Sequence, residues 1–210
     1  MINVVCVKWG DKYSASHVNR LYRMVEKNLS VPFEFHCYTD NDADIVPWIN
    51  IIPIEEEYER WWNKLYLFKK DLFAGPCLYF DLDVVIQKNI DSVLNHLSDK
   101  VTLIDCYWSY GWNSSVMLWE NNSELYDIFA SDPEYWMLKY RGIDWMIYDE
   151  EIPINTFPRG LIYSRLHGYK EGDKTDLNLY YHPEASICIF NGYGMHLDES
   201  SYQGFEHYWS

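Results

Sequence analysis

The sequence predicts an α/β fold: a mainly parallel central sheet flanked by helices, in a single domain. Three observations point there. Ile2 to Val7 is an unbroken apolar run, the pattern of a strand covered on both faces. Strand-like and helix-like segments then alternate through the first half, as a parallel sheet with crossover helices requires. Finally, the apolar segment Cys77-Leu78-Tyr79-Phe80 runs directly into Asp81-Leu82-Asp83. In such sheets ligands bind beyond the carboxyl ends of the strands, which is where this acid pair falls.

The elements follow in order. After the first strand, Lys8-Trp9-Gly10-Asp11-Lys12-Tyr13 reads as a loop. Val18, Leu21, Tyr22, Val25 and Leu29 recur at helical spacing, and Pro32 ends that helix. Phe33 to Tyr38 alternates as a second strand, closed by the turn residues Thr39-Asp40-Asn41-Asp42. Ile49 to Ile54 is a third strand interrupted by Pro53, and Glu55 to Phe73 is read as a helix with Trp61 or Trp62, Leu65, Phe68 and Leu72 facing inward. A helix around Ile90 to Leu97 follows the acid pair. Beyond it come strands at Val101 to Ile104 and Val116 to Trp119, a helix from Ser123 to Ser131, and a last buried strand at Ile187 to Phe190.

Length and charge narrow the function. A chain of 210 residues can bury a full core as one domain. Its net charge of −15 disfavours a surface that tracks nucleic-acid phosphates. An acidic protein that handles a phosphorylated donor needs a cation or a few local basic groups to offset its own field. Aromatic residues make up 18% of the chain, enough both to fill a core and to line a carbohydrate groove. Five cysteines in apolar runs, without CxxC spacing, read as reduced buried thiols in a cytoplasmic setting. The N-terminus enters a strand with no basic region or cleavage site, so no signal peptide is expected, and no apolar run approaches a membrane span.

Residues i and i+2 of a strand face the same way, so Asp81 and Asp83 are expected to point together. Two adjacent carboxylates repel, and burying them unpaired costs several kcal/mol. A hard cation such as Mn²⁺ or Mg²⁺ removes that penalty and keeps positions open for phosphate oxygens. Two solvated acids at a strand end are the simpler alternative.

Several local motifs carry a resemblance. Val5-Cys6-Val7-Lys8-Trp9-Gly10-Asp11-Lys12-Tyr13, Trp61-Trp62-Asn63-Lys64-Leu65, Asp81-Leu82-Asp83-Val84-Val85-Ile86 and Asn113-Ser114-Ser115-Val116-Met117 occur in that order across most of the chain. Together they resemble the GT-A (Rossmann-like) nucleotide-sugar glycosyltransferases with a DxD motif, in particular a group found in bacteria and large DNA viruses. The resemblance implies a metal-dependent transferase that moves a sugar from a nucleoside diphosphate, UDP-linked in most members, to a carbohydrate hydroxyl in glycan synthesis. Residues 1–100 would form the nucleotide-binding half and residues 101–210 the acceptor side of one GT-A domain, either whole or part of a longer polypeptide. Its location would be the cytoplasm, that of the host for a viral chain.

The same resemblance implies roles for single residues. Asp83 would be the principal ligand of Mn²⁺ (or Mg²⁺), and Asp81 would bind the metal or the donor ribose. Val7, Lys8 and Asp11 would line the nucleoside pocket, with Lys64 near the donor. Asn113, Ser114 and Ser115 would offer polar groups to the sugar. Asp144, in Gly142-Ile143-Asp144-Trp145, would be the general base of an inverting reaction, or would bind sugar hydroxyls or stabilise an oxocarbenium-like transition state in a retaining one. Each has a plainer reading: a surface lysine, a solvated helix charge, an ordinary Asn/Ser turn, an acid at a helix start. Arg165 and His167 would reach the diphosphate from a late loop, where a planar guanidinium matches phosphate oxygens.

The chain departs from the family near its end. Phe190-Asn191-Gly192-Tyr193-Gly194-Met195-His196 stands where relatives carry Phe-His-Gly-x-Pro-Lys-Pro. Asn191 thus replaces a metal-binding His and Met195 a Lys, leaving His196, or else His207, as the third metal ligand. Two other readings stand beside the transferase: a metal-dependent hydrolase of nucleotide sugars or phosphate esters, and a non-catalytic carbohydrate-binding module. An aspartyl-phosphate phosphatase would carry its Asp-x-Asp after the first strand rather than the fourth.

Overall fold

The computed structural model describes residues 1–55, 58–106, 108, 111–169, 174–191 and 202–210. The chain runs β1 (Ile2–Lys8), α1 (Ala15–Asn28), β2 (Phe33–Thr39), β3 (Asn50–Pro53), a 3-10 helix over Arg60–Phe68, β4 (Cys77–Phe80), β5 (Val84–Ile86) and a 3-10 helix over Asp91–His96. It continues through β6 (Thr102–Asp105), β7 (Trp112–Trp119), α2 (Glu124–Ser131), α3 (Pro133–Lys139), α4 (Ile143–Asp149), β8 (Asn155–Thr156), β9 (Ile162–Ser164) and β10 (Ile187–Ile189).

Seven strands form the main sheet, in the order β3-β2-β1-β4-β7-β6-β8. The pairs β3–β2, β2–β1, β1–β4 and β6–β8 are parallel, whereas β7 runs antiparallel between β4 and β6. The α/β architecture expected from the sequence is therefore present, with its parallel half in the first part of the chain.

Both faces of this sheet are covered, which explains the unbroken apolar run of β1. Val4, Cys6, Leu78 and Phe80 pack on one side with Val18, Leu21, Met24 and Val25 of α1. Val5, Tyr79 and Met117 pack on the other with Leu65, Phe68, Phe129, Met146 and Ile147. Successive strand residues alternate between the two layers, as the period of two demands. All five cysteines are buried free thiols. Among the described residues, no helix is long and apolar enough to cross a membrane.

Two features differ from the expectation. Glu55 to Phe73 is not one α-helix: its regular part is the 3-10 helix Arg60–Phe68. Trp62, Leu65 and Phe68, three residues apart, all turn inward, the spacing at which 3-10 side chains eclipse. Trp62 is buried and Trp61 is the exposed member of the pair. In addition, three short strands from distant segments form a separate sheet, β5-β10-β9, with β5 antiparallel and β9 parallel to β10.

Candidate active site

The parallel strands end together. Lys8 pairs with Thr39 and Thr39 with Pro53, while Val5 pairs with Tyr79, which places Val7 beside the Asp81 end of β4. On the far side of β4, Val116 of antiparallel β7 pairs with Phe80, and the Asp81 backbone N–H donates to the Ser115 carbonyl at 2.9 Å. The start of β7, Asn113 to Ser115, therefore lies at the same sheet edge as the acid pair.

Asp81 and Asp83 do not lie on a strand, which corrects the expectation that strand geometry points them together. β4 stops at Phe80, and Asp81-Leu82-Asp83 forms a turn, closed by the Val84 N–H donating to the Asp81 carbonyl at 3.3 Å, that hands the chain from the main sheet to β5. The two carboxylates consequently meet different partners. Asp81 keeps the side of Tyr79, two residues earlier, whose hydroxyl donates to its Oδ1 at 2.6 Å. Lys64 Nζ lies 2.7 Å from Asp81 Oδ1 and 2.9 Å from Oδ2. Among the described residues, Asp83 accepts one hydrogen bond, at Oδ2, from the Tyr13 hydroxyl at 2.9 Å.

These surroundings split the electrostatics of the pair. Burial, reinforced by the Asp81 charge, pushes the Asp83 carboxyl up to about 6, against smaller lowering effects from the Tyr13 hydroxyl, Lys12 and Lys64. Asp83 in turn helps to hold the Tyr13 phenol far above its ordinary range, though burial is the larger cause. The site thus contains one carboxylate with a full set of partners and one short of them.

Lys64 is almost fully buried and bridges further. Its Nζ lies 3.4 Å from both the carbonyl and Oγ of Ser114. The Ser114 N–H donates to Asp144 Oδ1 at 3.1 Å. Asp144 sits in the first turn of α4, the helix-start placement that its sequence context also allowed. Desolvation raises its pKa, while the Lys64 charge and the Ser114 hydrogen bonds oppose the rise. Five segments distant in sequence thus converge through Tyr13, Lys64, Asp81–Asp83, Ser114 and Asp144.

The remaining expected residues are placed unevenly. Val7 is half-buried at the end of β1 and Asp11 is exposed in the loop after it. Lys8 is buried, with Nζ donating to the Asn41 carbonyl at 3.1 Å, so the plain surface-lysine reading does not hold. Ser115 is buried, and the Asn113 side chain accepts its N–H at 3.0 Å.

Arg165 follows β9, and its N–H donates to the Ile189 carbonyl, at the end of the small sheet where Val84 pairs with Ile189. Its guanidinium is turned inward, 4.7 Å over the Phe205 ring and donating to the Tyr180 carbonyl at 2.6 Å. His167 is exposed and stacks on Trp108 at 5.8 Å. His196 and Met195 lie outside the described residues. His207, whose carbonyl accepts from Lys27 in the last turn of α1, sits at the opposite end of that helix from Tyr13 and Asp83.

Two residues of the site escaped the sequence reading. Tyr79 had a signal, since it precedes Asp81 by two on the same strand face. Tyr13 had none beyond its membership of the loop motif after β1.

The donor set accepts a hard cation in part. Asp83 Oδ1 makes no hydrogen bond among the described residues, and carboxylate oxygen is the ligand that Mn²⁺ and Mg²⁺ prefer. No group of three or more His, Cys, Asp or Glu side chains converges among the described residues. A cation here would draw most of its ligands from elsewhere than these side chains.

No family model matches the chain, and no curated protein sequence matches it. Solved structures do. The galactosyltransferase LgtC, in complex with donor and acceptor sugar analogs, superposes with a TM-score of 0.66 at 15% identity, covering 98% of this chain and 93% of that one. An active-site mutant of LgtC gives a TM-score of 0.61 at 12% identity, covering 98% and 94%. The fold of this chain is accordingly that of GT-A glycosyltransferase structures.

Proposed function

We propose that this chain is a metal-dependent glycosyltransferase, moving a sugar from a UDP-linked donor to a carbohydrate hydroxyl in glycan synthesis, with residues 1–210 working as one catalytic domain. One observation carries the reading. At the carboxyl end of β4, in a fold shared with a galactosyltransferase, Asp81 is held by Lys64 and Tyr79, while Asp83 is desolvated and among the described residues accepts a hydrogen bond only from the Tyr13 phenol.

Asp83 would hold the cation, Mn²⁺ or Mg²⁺, through Oδ1, the oxygen that no donor among the described residues uses, and donor phosphates and water would complete the coordination. When bound there, such an ion supplies neutralisation of the diphosphate leaving group. The protein groups perform the rest. Val7, Lys8 and Asp11, at the end of β1 and after it, bound the space for the nucleoside. Lys64 fixes the orientation of Asp81 and sets a positive charge beside Ser114 and Asp144.

Asp144 is held by the Ser114 N–H, and its raised pKa makes it a better proton acceptor than an ordinary carboxylate. In an inverting reaction the acceptor oxygen forms its bond to the anomeric carbon as the bond to the diphosphate breaks, and the acceptor proton passes to the Asp144 carboxylate. In a retaining reaction the same carboxylate would hold sugar hydroxyls.

The test is calorimetric titration of UDP, GDP and their sugars with and without Mn²⁺. Binding of UDP species only with the metal supports the proposal. No binding of any nucleotide under either condition overturns it and returns the acid pair to a surface feature of a carbohydrate-binding module.

A further inference from the structure

Trp61 is 42% exposed, yet its indole does not swing free. Its Nε1–H donates to the Arg141 carbonyl at 3.0 Å, across 80 residues of sequence. The next residue is Gly142, where an added Cβ would lie 2.7 Å from Nε1 and 3.2–3.3 Å from Cδ1 and Cε2 of the same indole. The backbone here is extended and tolerates any residue, so the requirement for glycine comes from contact alone. The Nε1 end of the ring is thus pinned to the backbone that opens α4.

That location matters. Trp61 lies three residues before Lys64, the lysine that grips Asp81, on the same 3-10 helix. On the other partner, two residues beyond Gly142, Asp144 accepts the Ser114 N–H. Its neighbour Trp145 is 52% exposed on α4. The Arg60 guanidinium lies 5.6 Å over the Trp61 ring. Exposed indoles normally cost conformational freedom to immobilise, and here a hydrogen bond and a glycine hold one in place at the start of the helix that carries Asp144.

We propose that Trp61, fixed by Arg141 and Gly142, is with Trp145 the stacking platform for the acceptor pyranose. The C–H face of the sugar lies on the indole, and its hydroxyls reach toward Asp144 and Arg60. The proposal rests on the transferase reading and identifies the acceptor class of that same site as a neutral sugar.

The experiment is saturation-transfer NMR on the full chain with UDP and Mn²⁺. The probes are methyl glucosides, galactosides and mannosides of both anomers. Wild type is compared with Trp61→Ala, Trp145→Ala and Trp61→Phe, and UDP affinity is measured in parallel by calorimetry. At least one glycoside is expected to receive saturation in wild type. Affinity should fall about fivefold or more in the alanine variants and be partly kept in Trp61→Phe, with UDP binding unchanged throughout. Undiminished sugar binding in both alanine variants overturns the platform. So does a wild type that binds UDP but no glycoside, in which case the transferase reading survives. If UDP does not bind, that reading fails, and the sugar titrations alone decide the platform.

Discussion

Lys64 grips both carboxylate oxygens of Asp81, at 2.7 and 2.9 Å, whereas Asp83, two residues on, is met among the described residues by the single hydroxyl of Tyr13. The ion pair settles one acid of the pair and leaves the other strained by desolvation and by its neighbour. This asymmetry yields tests that need no knowledge of the substrate.

Asp83→Asn removes a buried charge that Asp81 repels. The metal-free variant should be more stable than wild type by on the order of 1 kcal/mol, about 2–4 °C in Tm. It should also lose any stabilisation by Mn²⁺. Thermal melts with and without Mn²⁺ check both points, and a lower Tm for the metal-free variant would falsify the assignment of strain to Asp83.

The pH dependence has a defined sign. Asp83 titrates near 3.8 when unfolded and about 6 when folded. Between those values the native chain keeps a proton that the unfolded chain has released. Its contribution to stability therefore falls as pH rises through that window and is level above it. Asp144, also raised, acts in the same direction. Urea unfolding from pH 4 to 7.5 should show the decline, and Asp83→Asn should flatten most of it. An equally steep decline in the variant would assign the effect elsewhere.

Tyr13→Phe deletes the hydrogen bond that helps to keep Asp83 ionised. The Asp83 carboxyl should then titrate higher than in wild type, read from its carboxyl-carbon chemical shift. Mn²⁺ binding should need a correspondingly higher pH. A titration midpoint that stays put or falls would show that the phenol has no such role.

Lys64→Met leaves Asp81 in a half-buried position without its cation. The expected cost is about 3 kcal/mol, the size found when one partner of a buried pair is removed. The double variant Lys64→Met/Asp81→Asn should recover much of that loss. Additive effects of the two changes in urea unfolding would argue that the pair is not coupled.

How far the sequence carried these conclusions differs from element to element. β1, β2 and β4 were legible because strands buried on both faces leave continuous or alternating apolar runs. The Arg60–Phe68 segment was read with the wrong period, since over nine residues a spacing of three and one of 3.6 select nearly the same inward positions. The small sheet was not foreseen as a sheet. Val84–Ile86, Ile162–Ser164 and Ile187–Ile189 are three residues each, and nothing local tells such short runs which partner lies a hundred residues away. The acid pair was found from its spacing, but its partners were not, because Tyr13 and Lys64 reach it only through tertiary packing.

The turn Asp81-Leu82-Asp83 is the only covalent step between the end of β4 and the start of β5, so its two acids stand on opposite sides of a joint between two sheets. A ligand held by Asp83 would sit at that joint and act as a rivet across it. Loading the site and stiffening the small sheet would then be one event, and the rigidity of β10, which pairs with β5, would report whether the rivet is in.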